Sequence, residues 1–397
     1  MDMLDGRTIY TVILILYILA LLFGRKEQYG SITALFVFGI AFVAFHAESI
    51  WDLHNYYAGM PDLARRSLSD FFAAVKIESL GKTFWFYFCS KFHYKGMLPF
   101  FTVTVFYGIQ LGIVLKTAKK QNIPSVYMVL AVIFLMCSTK YYSVLAGVKN
   151  HMAFTVFIAS LAGELLFPKN RKMCWAGYLL SVTFHNSMWP LVLLRLLLSV
   201  YRRYPTKLIF GGVLIIAPFA NTIGELLAEA TGWEFLAALS EKAEVYYADS
   251  RDGALSLSNM ATSWVKMACI FLLLWYAYRL YRKRQWPEGW KPYLDFTLMA
   301  ALFTLGASGA PDLLVRFHDF LGLLSANILM MALAEGRLQL EQARAEKRKS
   351  CIKVRGGRWH APDFFYVIFL LESGLFFGYQ FLGILTKIGW QSPPLLV

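Results

Sequence analysis

The sequence predicts an all-α protein: a polytopic transmembrane helix bundle of about 12 spans, with amphipathic interfacial helices in two long outward loops. Of its 397 residues, 58% are hydrophobic and 16% are charged, whereas about 25% of the residues in an average soluble domain are charged. The apolar residues form long blocks separated by short charged clusters. This alternation is typical of one polytopic membrane domain, here covering residues 1–397.

The apolar blocks predict the spans in chain order. They lie at about 8–23, 31–46, 98–115, 124–138, 151–167, 173–185, 187–200, 208–220, 260–278, 293–308, 317–334 and 363–386. Two acids and one base precede the first block, which is the wrong charge for a secretory signal peptide. We therefore expect the first helix to be retained.

The distribution of Lys and Arg predicts the orientation. With the N-terminus outside, the cytoplasmic connections hold 24 of the 39 Lys and Arg residues, and the outward segments hold 13. The outward loops are then about 47–97 and 221–258, and a basic loop at about 335–362 is cytoplasmic. The net charge of +14 follows from these loops, so membrane lipid is the expected partner and nucleic acid is not.

Both outward loops contain amphipathic stretches that are expected to lie in the plane of the membrane interface. In the first stretch one helical face collects Leu68, Phe71, Phe72 and Val75. In the second the apolar residues include Leu226, Leu227 and Ala230. Arg65 and Arg66 lie on the polar side of the first stretch, where they either bind substrate or form solvated surface.

The segment 173–200 is either one helix kinked at Pro190 or two short helices. Two helices keep both basic flanks on the cytoplasmic side, so we prefer them. Each would have roughly 13 residues and span roughly 20 Å, less than the hydrocarbon core of about 30 Å. The turn at His185-Asn186-Ser187 should therefore lie below the outer surface and line a cavity or be buried in protein.

Polar groups at that depth are functional candidates. His185 and Asn186 are predicted to hydrogen-bond substrate at the cavity floor, unless Asn186 or Ser187 only caps the next helix. Five further bases run against the charge bias on the outer side: Lys140, Lys149, His151, Arg316 and His318. They indicate a phosphate-bearing ligand, since Arg binds phosphate through two hydrogen bonds; snorkelling to the interface is the alternative.

The stretch that follows the second span gathers carboxylate, imidazole, amide and phenol groups. Asp52, Tyr56 and Tyr57 suit sugar binding, although an interfacial aromatic belt would also use the tyrosines. No Gly-rich phosphate loop, zinc-protease motif or serine-nucleophile elbow occurs. The five cysteines lack metal or redox spacing. We expect no disulfide, no metal site and no cofactor.

These motifs resemble the Wzy/EpsG-like polysaccharide polymerases. In that family a basic residue opens one span, a cytoplasmic basic turn follows, and the next span ends in His-x-Ser, matched here by His185-Asn186-Ser187 within 141–194. Asp52, Tyr56, Tyr57 and Arg316-Phe317 also match. One departure is Lys149, where the family commonly has arginine, because lysine offers only a point charge to phosphate.

The resemblance implies a polymerase that joins polyprenyl-diphosphate-linked oligosaccharide repeats on the outer face of the bacterial cytoplasmic membrane. It implies catalytic roles for Asp52, His185 and Arg316 and substrate-binding roles for the other candidates: Tyr56, Tyr57, Arg65, Arg66, Lys140, Lys149, His151, Asn186 and His318. A chain-length regulator protein is a further implied partner.

Two other functional classes remain open. A membrane O-acyltransferase could use His185 as its base, but the other histidines of the predicted spans, His46, His151 and His318, lie at span ends rather than inside the membrane. A transporter or flippase for lipid-linked glycan tends to carry internal repeats and charges at mid-membrane. Apart from Lys266, the sequence has neither.

Overall fold

The computed structural model describes residues 6–47, 52–168, 170–200, 206–216, 257–283, 286–309 and 311–349. Within these ranges the regular structure is helical and contains no β-strand, so the all-α prediction is confirmed for them. The second amphipathic stretch, around Leu226, and the last predicted span, 363–386, lie outside the described residues.

The chain divides into two compact units, Met1–His185 with Leu329–Val397, and Asn186–Ile328. The helices of the first unit are α1 Gly6–Phe23, α2 Tyr29–Phe45, α3 Asp52–Arg65, α4 Leu68–Ala74, α5 Leu80–Ser90, α6 Met97–Lys120, α7 Ser125–Ser138, α8 Tyr141–Ala146, α9 Val148–Leu165 and α10 Arg171–Phe184. Those of the second unit are α11 Trp189–Val200, α12 Thr206–Ile216, α13 Leu257–Lys283, α14 Trp290–Gly306 and the first part of α15 Pro311–Lys349. The single polytopic domain stays a prediction.

Eleven of the twelve predicted apolar segments coincide with a helix. Among the described residues, three helices are long and apolar enough to cross a membrane: Lys26–Phe45, Met97–Lys120 and Leu314–Leu338. Two shorter apolar helices are Thr8–Phe23 and Ser125–Ser138. These helices are consistent with a membrane protein. The number of spans and their orientation stay predictions.

In the first unit α6 packs against α2 and α9, and α9 packs against α10. Gly177 permits the close approach of α9 and α10, because a Cβ atom there would lie 2.0 Å from the hydroxyl of Ser160. Polar side chains within these apolar helices bond to carbonyl groups. Ser160 and Thr155 donate one turn back, at 2.8 and 2.6 Å, so these two hydroxyls are satisfied within α9.

The first loop that is predicted to face outward, 47–97, contains α3, α4 and α5. Ser67 caps α4 by accepting a hydrogen bond from the Asp70 amide at 3.1 Å. The predicted shared face is wrong in its extent, because α4 ends at Ala74 and Val75 is extended. Phe71 is buried, whereas Leu68 and Phe72 are exposed, so the apolar side chains of α4 point both into the protein and away from it.

The break at the His185 turn is also observed. His185 is extended, with φ −155° and ψ 123°, and a 3₁₀ turn, Asn186–Met188, leads into α11. The chain therefore forms two helices here rather than one kinked helix. Pro190 occupies the first turn of α11, where its missing N–H breaks no helical hydrogen bond. The depth of the turn in the membrane stays a prediction.

Candidate functional site

Three of the predicted site residues meet in the first unit, and we call them the Asp52 cluster: Asp52, Tyr56 and Lys149. Asp52 opens α3, and one turn later the Tyr56 hydroxyl donates to its Oδ2 atom at 3.2 Å. Lys149, in the first turn of α9, places its Nζ atom 5.2 Å from the centroid of the Tyr56 ring. The cluster thus joins a carboxylate, a phenol and an ammonium from separate motifs.

The Asp52 cluster is open and has an aromatic wall. The Phe86 ring on α5 lies 4.9 Å from the Tyr56 ring, tilted by 33°. Asp52 is exposed, and Tyr56 and Lys149 are half-buried. Such a group can accept hydrogen bonds from hydroxyls, stack on a sugar ring and place one positive charge near a phosphate.

Tyr57 follows Tyr56 but points another way around α3 and is buried. Its burial raises the pKa of the phenol above the usual value, which keeps the hydroxyl neutral. Its contribution to substrate binding stays a prediction.

Arg65 and Arg66 lie at the end of α3 with exposed side chains. The Lys91 ammonium caps this helix end by donating to the carbonyl oxygens of Ala64 and Arg66 at 2.8 and 2.6 Å. Tyr87 donates to the Arg66 carbonyl as well, at 3.4 Å. The backbone of the two arginines is therefore fixed to α5, while their guanidinium groups face outward from the unit.

Lys140 and His151 differ in their surroundings. Lys140 precedes α8, and its Nζ atom lies 5.7 Å from the ring centroid of Tyr142. His151 is buried on α9, with Nδ1 2.9 Å from the Gly147 carbonyl oxygen and its ring edge-on to Phe106. His151 thus takes part in the packing between α6 and α9, and both binding roles stay predictions.

Helix α5 connects the Asp52 cluster to the end of α10 that carries His185. The Gly81 amide donates to the Thr183 hydroxyl at 3.1 Å, and a Cβ atom at Gly81 would lie 2.5 Å from that oxygen. Phe86, which contacts Tyr56, follows Gly81 by little more than one turn, or roughly 8 Å along the helix axis. A close contact between α5 and α10 therefore lies two residues before His185, which is half-buried.

The second unit contains a buried ionisable group of three, which we call the Lys266 triad: Lys266 on α13 with His318 and Asp319 on α15. The Lys266 Nζ atom lies 2.8 Å from His318 Nε2, which lies 2.9 Å from Asp319 Oδ1. Lys266 and Asp319 are 3.9 Å apart. Lys266 and His318 expose only 5% and 6% of their surface.

The Lys266 triad is held by charge. The Nε2 atom of His318 can accept a hydrogen bond from Lys266 or donate one to Asp319, but it cannot do both at once. The opposite charges of Lys266 and Asp319 compensate each other in a setting where an unpaired ion would be costly. Sequence reasoning noticed Lys266 inside a span but missed its partners. A lysine within an apolar helix predicts an acidic partner on another helix, and this pattern could have pointed to Asp319.

The remaining predicted residues of the second unit are Arg316 and Asn186. Arg316 is half-buried on α15, two residues before His318. Asn186 is half-buried in the 3₁₀ turn before α11. In the part of the chain that the structure describes, no group of three or more His, Cys, Asp and Glu side chains could hold a metal ion.

Comparison with known proteins adds no assignment, since no family model, curated protein or solved structure matches the chain. The described part is helical and contains helices able to cross a membrane. Its two candidate sites are the Asp52 cluster, which is open, and the Lys266 triad, which is buried.

Proposed function

We propose that the chain is a polysaccharide polymerase that joins polyprenyl-diphosphate-linked oligosaccharide repeats on the outer face of the bacterial cytoplasmic membrane. The observation that carries the proposal is the Asp52 cluster. Residues chosen from the stretch after the second apolar segment and from the start of the fifth lie in contact. Their chemistry matches what a sugar–phosphate substrate requires.

The reaction forms one bond and breaks one. The acceptor hydroxyl oxygen attacks the anomeric carbon, and the bond from that carbon to the diphosphate oxygen breaks, so polyprenyl diphosphate leaves with the electron pair. Asp52, exposed and hydrogen-bonded to Tyr56, is the proposed acceptor of the hydroxyl proton. The rings of Tyr56 and Phe86 are proposed to contact the sugar.

The departing diphosphate needs positive charge. We assign Arg316 to it, because a guanidinium remains charged and can make paired hydrogen bonds to phosphate. Lys149, near the Tyr56 ring, supplies a second charge without that paired geometry. His185 binds and positions a hydroxyl through a neutral imidazole.

The lipid carrier must reach these groups from the side. Exposed apolar residues on α4 and α5 include Leu68, Phe72, Phe84 and Phe88. Such a surface suits helices lying at the membrane interface. Since α5 also contacts Tyr56 through Phe86, these helices are the proposed approach for the lipid-linked sugar.

Substitution of Arg316 tests the assignment of the diphosphate contact. Arg316→Ala should abolish polymer formation at normal protein level, and Arg316→Lys should retain partial activity because it keeps the charge but not the paired geometry. Arg282→Ala, at the exposed end of α13, is the matched control and should leave polymer unchanged. If Arg316→Ala makes polymer at the wild-type rate, Arg316 does not contact the diphosphate and serves only as an interfacial anchor.

A second function is favoured by the Lys266 triad. Buried ionisable residues in membrane helices frequently carry protons or ions in transporters, so a transporter of lipid-linked glycan is the alternative. The two functions differ in their product: a transporter moves the lipid-linked repeat across the bilayer unchanged, whereas a polymerase lengthens the glycan and releases polyprenyl diphosphate.

A further inference from the structure

Two lysines of α6 converge on one aromatic ring at the corner between α6 and α9. The Nζ atom of Lys116 lies 4.5 Å from the centroid of the Phe167 ring. The Nζ atom of Lys120 lies 5.8 Å from the same centroid. Phe167 follows the end of α9, so the corner joins two helices of the first unit.

The two ammonium groups concentrate positive charge. Lys116 and Lys120 are one helical turn apart, and like charges at this spacing repel each other. Lys120 also donates to the Leu166 carbonyl oxygen at 2.7 Å, beside the negative end of the α9 dipole. The contact fixes the Lys120 stem while the residue as a whole remains exposed.

An acid near the end of α9 has other partners. Glu164 accepts a hydrogen bond from Tyr178 at 2.8 Å and lies 3.5 Å from the Arg171 guanidinium. Arg171 itself is an exposed cation that follows Phe167 by four residues in the chain. The charge of Lys116 and Lys120 is therefore best balanced by an anion from outside the protein.

The position of the corner identifies the source of that anion. Lys120 belongs to the last turn of the helix Met97–Lys120, and Lys116 lies one turn before it. This helix is long and apolar enough to cross a membrane. The end of such a helix lies at the level of the lipid headgroups. Anionic lipid attracts nearby lysines by about 1 kcal/mol each.

We propose that Lys116, Lys120 and Phe167 form a binding site for the phosphate of an anionic phospholipid headgroup. The phosphate accepts hydrogen bonds from both ammonium groups, which relieves their mutual repulsion. The Phe167 ring contacts both ammonium groups through cation–π interactions. The site is separate from the Asp52 cluster and does not depend on the proposed polymerase activity.

Lys119 supplies a matched control. It is an exposed lysine of the same helical turn, so Lys119→Gln removes the same charge from the same surface. A general electrostatic attraction to anionic lipid would weaken equally in Lys116→Gln, Lys119→Gln and Lys120→Gln. Binding at a specific site would weaken mainly in Lys116→Gln and Lys120→Gln.

The test measures the shift in melting temperature of purified full-length protein in neutral detergent. Phosphatidylglycerol, phosphatidylcholine and inorganic phosphate are added separately at matched concentrations. Phosphatidylglycerol alone should stabilise the wild type. Lys116→Gln and Lys120→Gln should each reduce its apparent affinity about fivefold, the equivalent of about 1 kcal/mol, while Lys119→Gln stays within about twofold and Lys120→Arg binds nearly as the wild type does.

Three outcomes would overturn the proposal. Equal losses in all three glutamine variants would indicate diffuse attraction. Equal stabilisation by phosphatidylcholine would show that the site does not require an anionic lipid. Full stabilisation by inorganic phosphate would show that the site binds free phosphate rather than a lipid headgroup. Since Lys120→Gln also loses its bond to Leu166, Lys116→Gln decides the matter if Lys120→Gln does not fold.

Discussion

The Asp52 cluster and the Lys266 triad use the same chemical groups in opposite settings. Each joins a lysine and an aspartate to a third residue with a polar ring, which is Tyr56 in the cluster and His318 in the triad. In the cluster the aspartate is exposed and the lysine half-buried, whereas in the triad the lysine and histidine are buried and the aspartate side chain is 14% exposed. Exposed pairs contribute little to stability, while breaking a buried pair is costly. We conclude that the cluster is suited to meet a ligand and the triad to fix two helices.

The largest expected effect comes from breaking the Lys266 triad. Lys266→Met should lower the free energy of unfolding by about 3–5 kcal/mol, because it leaves the largely enclosed Asp319 carboxylate without its opposite charge. Denaturant titration of the purified protein in micelles measures this. Lys149→Met, which breaks the equivalent contact in the Asp52 cluster, should cost about 1 kcal/mol or less.

A double substitution sharpens the same comparison. Lys266→Met combined with Asp319→Leu removes both charges and should recover much of the lost stability, since apolar groups can replace a buried pair at little cost. If Lys266→Met unfolds at the same denaturant concentration as the wild type, the triad is not a clamp between α13 and α15.

His185 should show the next largest effect, on activity rather than stability. If His185 binds and positions a hydroxyl, His185→Gln keeps much of the polymerisation rate and His185→Ala loses it, because Gln retains neutral hydrogen bonding. If His185 transfers a proton, His185→Gln should lose about 100-fold or more. We expect the first result in proteoliposomes; full activity in both variants would remove His185 from the site.

Two substitutions of Tyr56 distinguish the contributions of its ring and its hydroxyl. Tyr56→Phe keeps the ring beside Phe86 and Lys149 but loses the hydrogen bond to Asp52. Tyr56→Leu loses both, and an aromatic contact is worth about 0.5–1.5 kcal/mol. The Michaelis constant for the lipid-linked repeat should therefore rise by up to about tenfold in Tyr56→Leu and by less in Tyr56→Phe. An unchanged value in Tyr56→Leu would exclude sugar stacking.

Lys149 should give the smallest effect. Lys149→Arg should polymerise at least as fast as the wild type, because a guanidinium adds paired hydrogen bonds to phosphate at the same charge. Lys149→Met should be slower at similar stability. Comparing initial rates of the two variants measures the value of the charge, and equal rates would show that Lys149 does not contact phosphate.

The apolar pattern of the sequence predicts the helices well, since eleven of the twelve predicted apolar stretches coincide with helices. It also predicted the break at His185, because two helices keep the basic flanks of residues 173–200 on the same side. It failed at Val75, where the apolar spacing continued past the end of α4 at Ala74. Periodicity describes a helix face but not where the hydrogen bonding stops.

The candidate sites were predictable to different extents. Asp52 and Tyr56 share a helix face one turn apart, so their contact follows from helical geometry; that Lys149 joins them depends on the packing of α9. The Lys266 triad depends wholly on how α13 meets α15. Lys266 was visible as a cation within a span, but the choice of His318 and Asp319 as its partners requires the three-dimensional arrangement.

The most direct test of the proposed function is the product formed by the wild-type protein alone. The purified chain is reconstituted in liposomes with polyprenyl-diphosphate-linked repeat, and glycan length and released polyprenyl diphosphate are measured together. We predict longer glycan with one diphosphate released per bond formed, and loss of both in Asp52→Asn. Movement of the lipid-linked repeat across the bilayer with no change in glycan length would contradict the polymerase and favour the transporter.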